Sequence, residues 1–421
     1  MSFLESEIAL IHSNTSVHEG RKTFGQFDSL IPNYTNTELF PVTDERTQTA
    51  IIIPVMEREG KLNVFFERLT RAVVASGIPT SLVVMDNSLT DKMIREFEER
   101  SQRLKGTPVT SILYHHDARM TQTTLRNHAV TNFLPSESEN VGLWDSDIYS
   151  SVQTLQKLMQ TWGLSSVNGI APPLVGYKAG EIDEILKQYE KIRVDPEIRK
   201  RTHMPGAIGE ENGVWAGDIL RTTMMRGAFL VKKDFLQKIA RENPNNSPWL
   251  EDFVVWQNVP FFLAAREIGL DFGYVMTSDA IVAHDDNIDE LSVGYSLPYR
   301  RSETLKSLVM LMHRNKIYSP ESRDINSRFL RFNLDAISRI CGFDKNQAGE
   351  FQEILVEVAN MINNSNDSGE FNDKWQTRKV SIKSDYLGFA DEVVNKLAQD
   401  EVFQRVKSLH SSDLTHAMYS I

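Results

Sequence analysis

The 421-residue sequence contains one cysteine, Cys341, and no apolar run long enough to cross a bilayer. A single cysteine excludes a disulfide within the chain, so burial of apolar surface has to stabilise the fold. The N-terminus carries Glu5 and Glu7 and lacks the basic start and apolar stretch of a secretory signal. These absences predict a cytoplasmic protein without a transmembrane segment.

Basic residues are fewer than acidic ones. The chain has 46 lysines and arginines and 57 aspartates and glutamates, which gives a net charge of −11. General nucleic-acid binding needs a basic surface that displaces counterions, so the sequence predicts no nucleic-acid partner. The chain also lacks a G-x-x-x-x-G-K-[ST] phosphate loop and a G-x-S-x-G elbow. Both absences argue against a P-loop NTPase and an α/β-hydrolase.

What the chain does contain is a regular alternation of short β-branched runs and helical patterns. The runs span residues 50–55, 81–85, 109–114 and 141–144. The first run is apolar on both faces, as expected for a parallel strand buried between two helix layers. Strands that alternate with helices in this way predict βαβ units and a parallel, doubly wound sheet.

Acidic residues follow two of these runs directly. Asp86 ends the second run, and the triplet Asp145-Ser146-Asp147 follows the fourth. Because polar residues at the carboxyl ends of parallel strands line the ligand crevice, the pattern predicts a cleft that contains carboxylates. Two acids separated by one residue suit Mn²⁺ or Mg²⁺, with substrate phosphates completing the coordination.

The remaining segments carry weaker expectations. Residues 167–174 and 280–284 have strand character, and His115-His116-Asp117 is interpreted as a loop. Pro248 is expected to open a helix whose apolar residues continue to Ala265. Residues 183–192 are expected to form a helix, and a glycine-spaced stretch, 206–222, a loop over the cleft.

The two ends of the chain depart from the alternating pattern. Residues 1–47 are weakly periodic and predict an N-terminal extension before a catalytic domain at 48–298. Residues 299–421 repeat apolar positions at helical spacing, interrupted by a polar linker at 363–373. We therefore expect a helical C-terminal region. It packs either on the core or on a second chain, and in the second case the protein is a homo-oligomer.

The order of these motifs resembles that of the GT-A glycosyltransferases, especially glycosyltransferase family two. The matching segments are Ile51-Ile52-Ile53-Pro54, Val83-Val84-Met85-Asp86, Leu125-Arg126-Asn127, Leu143-Trp144-Asp145-Ser146-Asp147, Arg226-Gly227-Ala228-Phe229, Trp249-Leu250-Glu251-Asp252 and finally His284. The resemblance covers about residues 50–290. It implies a GT-A fold, Rossmann-like, with a mostly parallel central sheet flanked by helices, to which the helical C-terminal region is appended.

The resemblance also implies a role for each matching residue. Binding of the nucleotide-sugar donor falls to Pro54, Glu57, Asp86, Arg126, Asp145 and Ser146. Ligands of the Mn²⁺ or Mg²⁺ ion are Asp145, Asp147 and His284. The general base is Asp252, with Glu251 as the alternative. Substrate contacts come from Gly227, Trp215 and Trp249.

Each of these residues has an ordinary structural role as well. Asp86 can simply end a strand, Arg126 can pair with a surface acid, and His284 can be a hydrogen-bonded core histidine. Either residue of the acidic pair Glu251-Asp252 can cap a helix, where an acid is favoured. Tryptophans such as Trp215 and Trp249 more often pack in the interior than stack on a sugar.

The predicted function is metal-dependent transfer of a sugar from a UDP- or GDP-linked donor to a saccharide acceptor, with inversion, in polysaccharide or glycoconjugate synthesis. One alternative keeps the donor but retains configuration on a small acceptor such as glycerate. A sugar nucleotidyltransferase is disfavoured, because residues 56–61 lack the glycine-rich loop of that class. A non-catalytic sugar-binding protein has no need for the triplet and the acidic pair.

Overall fold

The computed structural model describes residues 35–55, 61–88, 93–177, 202–203, 219–222, 225, 227–243, 246–250, 258–275, 280–285, 305–306, 308–310, 337–338 and 341–408. The chain divides into two compact units. The first consists of Met1–Glu251 and Gln257–Tyr295, and the second of Asp252–Trp256 and Ser296–Ile421. The predicted helix at 183–192, and most of the predicted loop at 206–222, lie outside the described residues.

The described part of the first unit combines two sheets with helices. Its strands are β1 (Asn36–Pro41), β2 (Thr49–Val55), β3 (Thr80–Asp86), β4 (Val109–His116), β5 (Asn140–Trp144), β6 (Ile148–Ser150), β7 (Gly169–Ala171), β8 (Leu174–Tyr177), β9 (Thr202–His203), β10 (Ile219–Thr222), β11 (Ala228–Lys232), β12 (Phe272–Val275) and β13 (Val282–Asp285). Its helices are α1 (Lys61–Ser76), α2 (Ile94–Arg103), α3 (Gln122–Asn132), α4 (Thr154–Gly163), α5 (Lys233–Glu242) and α6 (Asn258–Glu267).

The larger sheet has nine strands in the order β1-β4-β3-β2-β5-β11-β7-β12-β10. Its centre, β4-β3-β2-β5, is parallel, which confirms a mixed α/β fold built on the predicted strands. β1, inside the predicted N-terminal extension, pairs with β4 in the antiparallel direction. β11 runs antiparallel to both β5 and β7, so the sheet is mixed and not parallel throughout. A buried apolar run is equally favourable in either direction, and its pattern therefore does not encode strand polarity.

Successive residues of β2 face two different apolar layers. Ile51 and Ile53 belong to one buried cluster together with Phe65 of α1. Ile52, between them, belongs to a second cluster that includes Leu125 of α3. Because side chains alternate across a strand, this division places apolar cover on both faces of the sheet. The all-apolar run 50–55 indicated that arrangement.

The smaller sheet has the order β6-β13-β8-β9. β13 pairs in parallel with β8 and antiparallel with β6, the short strand that follows the acidic triplet. The strand expected at 167–174 is in fact two strands, β7 in the larger sheet and β8 in the smaller one. Pro172 and Pro173 separate them, because proline lacks the N–H group that a continuous ladder requires.

One further expectation in the first unit is wrong, and another is only partly within the described residues. His115 and His116 lie at the end of β4 and not in a loop, because β4 extends to pair with Asp86. Of the helix expected from Pro248 to Ala265, residues 248–250 are not α-helical, residues 251–257 lie outside the described residues, and α6 is described from Asn258.

The second unit is helical in its described residues. The helices are α7 (Lys345–Asn363), α8 (Ser368–Arg378), α9 (Ser384–Leu397) and α10 (Asp400–Ser408). The polar linker expected at 363–373 is wrong, since α8 occupies half of it. Asp367 caps α8 by accepting the backbone N–H of Glu370 at 2.8 Å, and Phe371 and Trp375 are buried. No helix in the described part of either unit is long and apolar enough to span a membrane.

Candidate functional site

The acidic triplet lies where the chain leaves β5 and turns into β6. Its backbone is fixed on both sides, because Asp145 N donates to Gly227 O at 2.8 Å and Ile148 N donates to Asp145 O at 3.0 Å. Trp144, just before the triplet, is fully buried, whereas the side chains of Asp145 and Asp147 are 22% and 19% exposed. Ser146 between them is half-buried. The triplet is therefore the point at which a buried strand reaches solvent.

His284 of β13 faces the second aspartate of the triplet. The antiparallel pairing of β13 with β6 places His284 opposite Ile148. His284 Nε2 then lies 3.7 Å from Asp147 Oδ2, and the imidazole is 16% exposed. The smaller sheet thus brings together a carboxylate and an imidazole that are far apart in the sequence.

The first aspartate of the triplet is paired with Arg126 of α3. The guanidinium is 1% exposed and donates to Asp145 Oδ1 at 2.5 Å. Burial raises the pKa of the Asp145 carboxyl, the positive charge of Arg126 lowers it, and the nearby Asp147 raises it again. The predicted contact of Arg126 with donor or phosphate stays a prediction.

The three predicted metal ligands meet at one edge of the first unit, but they do not form a complete cage. Over the described residues, no three His, Cys, Asp or Glu side chains are arranged to hold a metal ion. One oxygen of Asp145 faces Arg126, while Asp147 and His284 remain partly exposed. Asp147 and His284 would therefore be the two protein donors of a cation, which would take its remaining ligands from a diphosphate and water, as Mg²⁺ usually does.

Asp86 has a different environment. It is fully buried; its Oδ1 accepts from Ser88 N at 2.8 Å and Ser88 Oγ at 2.5 Å, and its Oδ2 accepts from Tyr114 OH at 2.6 Å. Burial raises the pKa of this carboxyl, and the hydrogen bonds from Ser88 and Tyr114 oppose that effect. Both oxygens are engaged by neighbouring residues. Pro54, buried in β2, pairs with Met85 beside it.

Gly227 contacts the triplet through its backbone. Its φ of +75° lies in the left-handed region that glycine tolerates best. A Cβ atom at this position would stand 2.9 Å from Ile148 Cδ1, so the site also lacks room for a side chain. Glycine at 227 is therefore explained by the turn that supports Asp145, and its predicted substrate contact stays a prediction.

Trp249 is an interior residue. Its ring is 1% exposed and stacks on Phe261 at a centroid distance of 4.7 Å and an angle of 10°. Asn127 donates to Trp249 O at 2.8 Å and accepts from Trp249 N at 3.0 Å. Because these bonds use the backbone groups of Trp249, they hold residues 246–250 out of a helix. The ring has no open face for a sugar in this arrangement.

The structure adds one residue that the sequence did not indicate. Asn258, the first residue of α6, accepts at its Oδ1 from Trp249 Nε1 and from Arg126 Nη1, both at 3.2 Å. The sequence indicated Asn127 indirectly, because it follows Arg126 in one of the matching segments. Asn258 belongs to no such segment. The predicted site residues Glu57, Trp215, Glu251 and Asp252 lie outside the described residues.

Comparison with known proteins identifies no family for this chain. No family model matches the sequence, and no curated protein matches it. The solved structures similar to the chain include the crystal structure of S. aureus TarS, a glycosyltransferase, at a TM-score of 0.42 and 10% identity. The match covers 88% of this chain and 54% of TarS, so the chain spans about half the length of that structure. A similarity this low carries no argument, and we base the functional assignment on the site.

Proposed function

We propose that the chain is a metal-dependent glycosyltransferase that moves a sugar from a UDP- or GDP-linked donor to a saccharide acceptor. The observation that carries the proposal is the approach of His284 to Asp147, 3.7 Å apart, beside Asp145 where β5 ends. These side chains are partly exposed, in contrast to the buried strands that lead to them. Carboxylates at the carboxyl ends of parallel strands support a ligand crevice at this edge of the sheet.

The charges of the site support a nucleotide diphosphate as the ligand. Two carboxylates would repel a diphosphate unless positive charge lies between them, and the donor set suits Mn²⁺ or Mg²⁺. When bound, the ion neutralises the charge that develops on the leaving diphosphate. In this proposal Asp147 and His284 would hold the ion, and the buried Arg126 holds Asp145 beside them and opposes the rise in its pKa that burial causes.

Inversion at the anomeric carbon requires a base for the acceptor hydroxyl. We assign this role to Asp252, with Glu251 as the alternative, because a carboxylate is the usual group that takes the proton. The support for this assignment is the sequence motif alone. Retention of configuration on a small acceptor is the competing reaction.

A donor panel tests the proposal. We expect nucleotide release from UDP- or GDP-sugars in the presence of Mn²⁺ or Mg²⁺, and none when the metal is chelated. CMP- and TDP-sugars serve as the comparison donors. If no sugar nucleotide is bound or hydrolysed with either metal, the proposal fails.

Product stereochemistry separates the two reaction courses. The anomeric coupling constant in the proton NMR spectrum of the transfer product reports the configuration of the new glycosidic bond. Inversion is the expected result. A product with the configuration of the donor would instead establish the retaining alternative.

A further inference from the structure

The acidic pair Glu251-Asp252 is bracketed in the sequence by two residues that hydrogen-bond to each other. Trp249 precedes the pair and Asn258 follows it. The indole Nε1 of Trp249 donates to Asn258 Oδ1 at 3.2 Å. A single bond therefore links the chain just before the acidic segment to the first residue of the helix just after it.

The same amide oxygen also receives the arginine of the candidate site. Arg126 Nη1 donates to Asn258 Oδ1 at 3.2 Å, and Arg126 Nη2 donates to Asp145 Oδ1 at 2.5 Å. Asn258 thus connects both ends of the acidic segment to the guanidinium that holds the triplet. Asn127, the neighbour of Arg126 on α3, adds two bonds to the backbone of Trp249.

The residues of this hydrogen-bond network are buried, so each of its bonds is costly to break. Arg126 and Trp249 are each 1% exposed, and Asn127 is 5% exposed. Buried donors that lose their acceptor incur a desolvation cost of about 1–3 kcal/mol each, more when charged. Removal of the Asn258 carbonyl would deprive Trp249 and Arg126 of an acceptor at the same time, so both would be expected to move.

We infer that Asn258 is a positioning residue for the transfer reaction. Its side-chain carbonyl holds the guanidinium of Arg126, which in turn holds Asp145 of the triplet, and it also holds the indole of Trp249. This inference rests on the proposed function for its kinetic consequence. Its geometric consequence, the restraint on Trp249, does not depend on any activity.

Three variants test the inference. Asn258→Leu removes the acceptor at nearly constant size, whereas Asn258→Asp keeps an oxygen that accepts from both donors. Asn168→Leu is the matched control: its Oδ1 accepts from Asp271 N at 2.8 Å, a bond that involves none of the candidate site residues. All three are made in the full chain.

The kinetic measurement is steady-state nucleotide release from the accepted donor with its metal. For Asn258→Leu we expect kcat to fall about 100-fold, the size of effect that a displacement of about 1 Å produces. Asn258→Asp should recover most of the lost kcat, because it keeps an oxygen that accepts from both donors. Equal losses in Asn258→Leu and Asn168→Leu, or no recovery in Asn258→Asp, would overturn the inference.

The second measurement needs no activity. In ¹⁵N-tryptophan-labelled protein, the indole N–H of Trp249 is assigned by its absence in Trp249→Phe. We expect its solvent exchange to accelerate at least about tenfold in Asn258→Leu and to stay slow in Asn258→Asp and Asn168→Leu. Unchanged exchange in Asn258→Leu contradicts the inference even if the enzyme is active. Loss of protection in a protein that turns over no donor supports the restraint and counts against the proposed function alone.

Discussion

Two acidic residues, Asp86 and Asp145, illustrate how one sequence pattern leads to two environments. Each stands at the carboxyl end of a buried strand, and β3 and β5 lie on either side of β2. Asp86 is fully buried and accepts hydrogen bonds from the neutral groups of Ser88 and Tyr114. Asp145 is 22% exposed and pairs with the charged Arg126.

The difference concerns what each carboxylate is able to do. At β3, three protein donors use both oxygens of Asp86 and tie the strand end to Tyr114 of β4. At β5, one oxygen of Asp145 is held by Arg126, and the chain continues to a second carboxylate that faces His284. A strand-end acid is therefore a structural junction in one place and part of an open site in the other.

Asp147→Ala should have the largest effect. It removes the carboxylate that faces His284, so we expect metal-dependent nucleotide release to fall about 100- to 1,000-fold, as when one electrostatic stabiliser is lost. The melting temperature should stay within about 2 °C, because a partly exposed side chain contributes little stability. Donor binding that remains metal-dependent and unchanged would remove the triplet from the site.

Asp86→Ala should instead act on stability. Three buried donors lose their acceptor, and we expect the free energy of unfolding, measured by urea titration, to fall by about 3 kcal/mol. Ser88→Ala, which removes one of those donors, is the control and should cost about 1 kcal/mol. If Asp86→Ala leaves stability unchanged and raises only the donor KM, Asp86 contacts the nucleobase and the contrast with Asp145 disappears.

His115, near the end of β4 beside Asp86, provides a test of how burial affects a titratable group at these strand ends. His115 is 3% exposed, packs against His128 and Phe133, and burial lowers its pKa from 6.5 to about 4. The unfolded chain then binds more protons than the folded one below pH 6.5, so stability is lost as the pH falls towards 4. Between pH 7 and 5 the loss from this group should be about 2 kcal/mol.

The control for the histidine is His115→Gln, which keeps a polar side chain and removes the titration. Urea titrations of both proteins at pH 7 and pH 5 give the comparison. The variant should lose about 2 kcal/mol less than the parent over this interval. An identical pH dependence in the two proteins would show that His115 does not titrate as its burial demands.

Asp367→Ala should have the smallest effect and supplies a reference for an acid with a purely local role. Asp367 is exposed and caps α8 through Glu370 N. Loss of such a cap lowers stability by about 1 kcal/mol, measured by urea titration, and nucleotide release should be unchanged. Reduced kcat in this variant would mean that α8 contributes to activity, which nothing in its contacts indicates.

The sequence by itself determined the central strands of the first unit and the helix that follows the first of them. The β-branched runs became β2, β3, β4 and β5, and the apolar face of α1 is buried as its spacing predicts. These features depend on local propensity and on periodicity, which the sequence carries directly. The order of the acidic residues after these strands was also visible without a structure.

Only the tertiary structure decided how those residues are used. The antiparallel direction of β11, the full burial of Asp86 and the stacking of Trp249 on Phe261 all depend on partners distant in the chain. Asn258 shows this most clearly: it belongs to no motif, and two donors from distant parts of the chain approach its one oxygen. A sequence records which groups can donate or accept, whereas the fold determines which of them meet.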